Sequence, residues 1–226
     1  MAELILHHYA MSPFSEKIRA MLGYTNQAWQ SVAVREFPPR PHLDLLTGGY
    51  RKIPVAQQGA DVFCDTRIIT SELAGAANRP ELAVENQDPE VRDFVARADL
   101  EVFLACVLAA DGRTLLKRMR RDHSWLYIGR FLWDRVNMGR KARVKAAGPK
   151  QAPAVVREHL QKMESMLDGA FLFGDRPGIA DFAAWHGLWF IRDLSESGLV
   201  APFPRVNAWM DRMHAFGQGR LTAIAA

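Results

Sequence analysis

Cysteine is nearly missing from this chain: 226 residues hold two, Cys64 and Cys106. They form no Cys-x-x-Cys pair and no metal-ligand spacing, which excludes a disulfide framework and a zinc module. Two inert core thiols and a reducing, cytoplasmic setting are expected. Long apolar runs are also lacking, and Met1-Ala2-Glu3 leads straight into a strand-like segment. Neither a signal peptide nor a membrane partner is expected. His7 and His8 are adjacent, so on a strand they point to opposite faces; with no third ligand at useful spacing, no metal is expected. Net charge is small, +4, but unevenly distributed. From Arg113 to Lys150 stand twelve Lys/Arg against two Asp. The runs Lys117–Arg121 and Arg140–Lys145 have no interleaved aromatics and match no nucleic-acid motif. They read as a solvated helix face and a loop, and nucleic acid is not an expected partner.

An apolar fraction of 49% and six tryptophans are enough for one large or two small cores. In chain order, Leu4–Tyr9 reads as a strand and Met11–Phe14 as a turn. Ser15 is a helix cap before Ile18, Met21 and Leu22, with Gly23 as the stop. A second strand runs from Trp29 to Val34, then a Pro/Gly-rich loop from Arg35 to Tyr50. Ile53-Pro54-Val55, the turn Gln57–Asp61 and the short strand Val62–Cys64 lead into a helix through Ile68, Ile69, Glu72 and Leu73. This gives an α/β unit over 1–78 and a polar linker over 79–88. Beyond the linker only helical spacing appears, so 89–226 is expected to be an all-α helical bundle. Asp88-Pro89 opens it, and Ile179–Ile191 is apolar enough to be buried on every side.

The stretch 51–73 carries the first functional suggestion. Pro54 cannot donate to a sheet ladder and belongs at an edge, a bulge or a cis turn. A cis bond at an edge would turn the N–H and C=O of Ile53 outward, where an extended peptide can pair with them. Asp65 or Thr66 caps the following helix, whose free N–H groups suit a carboxylate, while Asp65 can hold an ammonium. A backbone clamp beside an amino-acid pocket suits a small peptide.

Four stretches resemble a known family in the family's order. They are Ser12-Pro13-Phe14-Ser15 with Lys17 and Arg19, Ile53-Pro54-Val55, Asp65-Thr66, and Phe171–Asp175 with Ile179-Ala180-Asp181. Together they resemble the cytosolic glutathione S-transferases, in particular serine-type bacterial members. The resemblance implies a thioredoxin-like α/β N-terminal domain, an all-helical C-terminal domain and a homodimer. Departures are Thr66 for the commoner serine, Gly178 where the buried helix usually has a Ser/Thr cap, and Ala56 for leucine.

What the resemblance implies for the site is specific. Glutathione would be bound by Ile53, Pro54, Asp65 and Thr66, with Lys52, and Arg51 beside it, toward the glycine carboxylate. Ser12 would activate the thiol, Tyr9 being the rival hydroxyl. Phe14, Phe103 and Val107 would line a pocket for a small hydrophobic electrophile. A cysteine at the Ser12 position would point to disulfide exchange; serine points to addition or isomerisation. The expected activity is therefore that of a glutathione transferase. The alternatives are a glutathione-dependent isomerase or lyase, and a non-catalytic interaction or regulatory protein on the same fold.

Overall fold

The computed structural model describes residues 3–141 and 148–225. Part of the basic run 140–145, including Arg143 and Lys145, lies outside the described residues. The first part contains β1 (Leu4–His8), α1 (Pro13–Tyr24), β2 (Ala28–Ala33), α2 (Pro41–Thr47), β3 (Val55–Gln58), β4 (Asp61–Cys64) and α3 (Thr66–Ala77). Helix α2 falls in the stretch read as a loop. Pro41 opens it at its first turn, and Gly48, at φ 62°, ends it in the left-handed conformation glycine adopts freely. Helix α1 starts earlier than expected, because Ser12 and not Ser15 is its cap.

The second part is helical: α4 (Pro89–Arg97), α5 (Phe103–Ala109), α6 (Gly112–Asp122), α7 (Trp125–Lys141), α8 (Ala152–Met166), α9 (Ile179–Trp189) and α10 (Pro204–Ala215). A π-helical turn, Ala98–Val102, joins α4 to α5. Residues Ile179 to Leu188 of α9 are all buried, as their composition implied. Gly178 caps α9 without a side chain, and Asp181 does the bonding. Its carboxylate accepts from the Gly178 N–H at 2.9 Å, the Leu172 N–H at 3.0 Å and Trp209 Nε1 at 2.8 Å. Among the described residues no helix is long and apolar enough to cross a membrane.

One element departs from the all-helical expectation for 89–226. The chain returns to the first part as β5 (Arg220–Ile224), parallel to β2, so the sheet order is β4-β3-β1-β2-β5. Every residue of β5 is exposed, and the alternation in Arg220-Leu221-Thr222-Ala223 is too short to set it apart from the helical part before it. Its anchors are Trp29 Nε1, which donates to the Gln218 carbonyl at 2.6 Å, and the Arg220 N–H, which donates to the Gln27 carbonyl at 3.1 Å. Gly23 does not stop α1, which runs on to Tyr24. A Cβ on Gly23 would stand 2.3 Å from the Gly217 carbonyl oxygen, so glycine lets the returning chain pass close to the helix. The core is continuous across both parts: Leu6, Ile18 and Met21 belong to the same buried cluster as Phe182, Trp185 and Trp209.

Candidate glutathione site

Strand register brings three distant segments to one end of the sheet. Val55 pairs with His7 of β1 on one side and with Cys64 of β4 on the other. Ile53-Pro54 just before it, the turn after His8, and Asp65 just after Cys64 therefore meet at that end. The Ile53–Pro54 peptide is cis. Ile53 lies beyond both ladders, and neither its N–H nor its C=O bonds to another backbone group among the described residues.

Asp65 caps α3 from φ 90°, a conformation few non-glycine residues hold. Its Oδ1 accepts from the Arg67 N–H at 3.0 Å, and its side chain is exposed. Thr66, half-buried, begins the helix proper. Asp65 thus combines a capping role with a carboxylate facing outward beside free helix N–H groups.

Ser12, 2% exposed, closes the turn between β1 and α1. Its Oγ accepts from the Ser15 N–H at 3.2 Å, which leaves the hydroxyl hydrogen free to donate. The Ser15 hydroxyl is buried and has no partner among the described residues. Tyr9, the rival hydroxyl, is half-buried.

Arg51 is taken up elsewhere: its Nη2 lies 2.6 Å from Asp134 of α7. Lys52 is exposed, the freer cation of the two. The segment before the cis peptide is organised by Arg40, 5% exposed, which donates to the carbonyls of Arg35 at 2.7 Å, Arg51 at 2.8 Å and Glu36 at 2.9 Å. Helix α7 closes on this segment through Glu36, whose carboxylate bonds the Tyr127 hydroxyl and lies 3.3 Å from His123 Nε2.

Phe14 and Phe103 come together across the two parts, with ring centroids 4.7 Å apart. Val107, one turn along α5, is 40% exposed. Beneath the two phenyl rings lies His186, with centroids 4.7 Å from Phe14 and 5.4 Å from Phe103. The sequence reading missed this imidazole, because a histidine inside an apolar helix looks like core. Burial pushes it down to about 4, so it is neutral at pH 7. Tyr50 was missed as well. Its buried hydroxyl lacks a partner among the described residues, and burial, with the charges of Asp65 and Cys64, pushes it up to about 12.

The cysteines separate. Cys106 is fully buried and pushed up to about 12 by that burial, an inert thiol as expected. Cys64 is only half-buried and stands next to Asp65, at the site and not in the core. Burial raises its thiol first, and the Asp65 charge adds to that. Among the described residues no three His, Cys, Asp or Glu group as metal ligands would. Two cavities, of about 250 and about 290 Å³, open elsewhere, one against α4 and α8 and one at the end of α3. An extended peptide on a strand edge needs no such enclosure.

Comparison with known proteins agrees with this fold. Residues 6–81 match the model for the glutathione S-transferase N-terminal domain and residues 141–212 that for the C-terminal domain. A GST-like protein from Pseudomonas syringae has a crystal structure that superposes with TM-score 0.71 at 33% identity, covering 99% of this chain and 70% of that one. A glutathione S-transferase from Rhodospirillum rubrum superposes with TM-score 0.67 at 19% identity, over 94% of this chain and 88% of that one, a likeness of fold. FtsZ-localized protein A of Caulobacter vibrioides is 28% identical over 189 residues, 80% of this chain and 74% of that protein. With matches to both domain models and a 33% identical relative that covers 99% of this sequence, the chain belongs to the glutathione S-transferase family.

Proposed function

We propose that the chain binds glutathione along the Ile53 edge and ionises its thiol at Ser12 for attack on a small hydrophobic electrophile. The observation that carries this reading is the main chain of Ile53, which pairs with no other backbone group among the described residues and lies at the same end of the hairpin as the exposed carboxylate of Asp65. A peptide there gains two main-chain bonds from Ile53, an ammonium partner in Asp65, and helix N–H groups at Thr66 for the γ-glutamyl carboxylate. Lys52 is the available cation for the glycine end.

A free thiol ionises near pH 8.5, and lowering that by about two units takes about 2.7 kcal/mol of preference for the thiolate. Ser12 supplies a hydroxyl hydrogen at the positive end of α1, a charge-assisted bond plus the helix dipole. The thiol proton leaves to solvent, the sulfur lone pair forms the C–S bond, and the electrophile's displaced electron pair departs on its leaving group or moves into the adjoining π system. Phe14 and Phe103 offer the apolar wall, with Val107 at its rim. Isomerisation and elimination use the same thiolate. A homodimer and a cytoplasmic setting complete the proposal.

Calorimetry on Asp65→Asn tests it. The amide keeps the helix cap and removes the charge, so affinity for glutathione should fall by more than about tenfold, the worth of a charge-assisted bond. Unchanged affinity would refute the assignment.

A second reading, an interaction protein on this fold, is favoured by α7. Trp125, Leu126, Leu132, Trp133 and Val136 are 53 to 72% exposed, and the helical spacing puts them on one face. Similarity to a protein named for its localisation with FtsZ points the same way. Wild-type protein that binds no glutathione would select this reading.

A further inference from the structure

Arg19 is a guanidinium sealed in the middle of α1, 3% exposed, and neither core packing nor the peptide clamp explains it. A buried charge of this kind persists only when its donors are matched. Here they are. Nε and Nη2 both reach Glu16 Oε2, at 3.0 and 2.7 Å. Nη1 meets His8 Nδ1 at 3.0 Å and the Tyr9 carbonyl at 3.4 Å, and Nη2 donates to the Ala10 carbonyl at 3.0 Å. An arginine only donates, so His8 Nδ1 accepts, and its Nε2 carries the proton that goes to Ser31 Oγ, 2.8 Å away. Glu16 is held from the other side, since its Oε1 accepts from Trp185 Nε1 of α9 at 3.3 Å.

The two carbonyls that Arg19 holds belong to the turn that carries Ser12. That turn has one further internal tie: the Ser12 N–H donates to the same Tyr9 carbonyl at 3.2 Å. The position of the Ser12 oxygen thus follows from a planar fork anchored at once to β1, to β2 through His8, and to α9 through Glu16. We infer that Arg19 is a positioning residue: it locks the β1–α1 turn so that the Ser12 hydroxyl meets the bound thiol in one geometry, and it thereby sets the extent of thiol ionisation. This rests on the assignment of Ser12 proposed above. Lysine cannot substitute, because its ammonium lacks the flat five-donor fork.

The test uses full-length protein and reduced glutathione. Thiolate ultraviolet absorbance is titrated against pH in the wild type and in Arg19→Lys, glutathione affinity is measured calorimetrically, and amide exchange is followed at Ser15, Glu16 and Ile69. In Arg19→Lys the thiol should ionise about one pH unit higher, while affinity measured near pH 5.5, where the bound thiol stays protonated, should stay within about twofold because the clamp is untouched. The Ser15 and Glu16 amides, bonded to Ser12, should exchange at least about tenfold faster, while Ile69, bonded to the Asp65 carbonyl at 3.1 Å, should not change. Wild-type ionisation in the variant overturns the inference, and so does equal loss of protection at Ile69, the mark of a merely structural role. A wild type that leaves the thiol at its free-solution pKa sinks the Ser12 assignment and this inference with it, and is recognisable because the failure precedes any substitution. Should Arg19→Lys not fold, Glu16→Gln, which weakens one anchor of the fork and keeps its shape, must raise the ionisation pH in the same direction, and an unchanged value overturns the inference equally.

Discussion

Lys17 and Asp99 meet in the seam between the sheet and the helical bundle, with Lys17 Nζ 2.8 Å from both carboxylate oxygens. The lysine side chain is 3% exposed and the aspartate 28%. One comes from α1 and the other from the π-helical turn after α4, so this pair joins the two parts beside Phe14, Phe103 and His186.

Breaking that pair on one side should be costly and removing both sides should not. Asp99→Asn leaves the Lys17 charge buried with half its partner gone, and a loss of about 3 kcal/mol is expected in denaturant unfolding. Lys17→Met combined with Asp99→Leu should cost about 1 kcal/mol or less. Equal losses in the single and double variants would mean the pair contributes shape and not charge.

Ser12→Ala should lower kcat with an aromatic halide at least about tenfold and leave KM for glutathione nearly unchanged, since the clamp does not involve Ser12. The same change removes the α1 cap, and about 1 kcal/mol of stability should go with it. Tyr9→Phe should alter neither. Steady-state kinetics with both variants separates the two hydroxyls, and activity lost in Tyr9→Phe but kept in Ser12→Ala reverses the assignment.

Acid should unfold the protein earlier than its carboxylates alone require. His8 and His186 are pushed down to about 4 and His159 to about 3, in each case chiefly by burial, from an ordinary 6.5. A base with a depressed native pKa binds protons preferentially when unfolded, so its stabilising contribution is complete above pH 6.5 and drains away as pH falls toward the native values. Each ring should remove about 1.4 kcal/mol per pH unit in that window. Melting temperatures measured from pH 7.5 down to pH 4.5 should decline about three times as steeply as for one such group. A flat profile above pH 5 would contradict the burial of these three rings.

Gly23→Ala should destabilise, although alanine is the better helix former by about 1 kcal/mol. The added Cβ would stand 2.3 Å from the Gly217 carbonyl and 2.5 Å from that of Phe216, both backbone atoms that cannot swing aside. A loss of more than about 2 kcal/mol is expected, and far-ultraviolet circular dichroism melts on the two proteins measure it. A gain in stability would mean that the returning C-terminal segment does not press on α1.

How much of this was legible in the residues depends on whether the signal was local. Pro54 among strand formers, Asp65-Thr66 ahead of a helical pattern and the apolar run of α9 each declare themselves within a few positions, and each lies where its neighbours imply. Ser12 was found for the right turn with the cap misassigned to Ser15, because both serines sit within one helical turn and spacing alone does not choose between them. Arg51 looked free until α7 brought Asp134 to it from 83 residues away.

From the residues alone follow the two-part architecture, the buried α9 and the start of α3 at Asp65-Thr66, because propensity, capping and hydrophobic period act over a few residues at a time. Only the tertiary structure decided that residues 220–224 complete the sheet, that Cys64 stands beside Asp65, and that Arg19, Glu16, His8 and Trp185 form one network behind Ser12. Those relationships join groups far apart along the chain, and their partners are chosen by strand register and close packing, which no local pattern encodes.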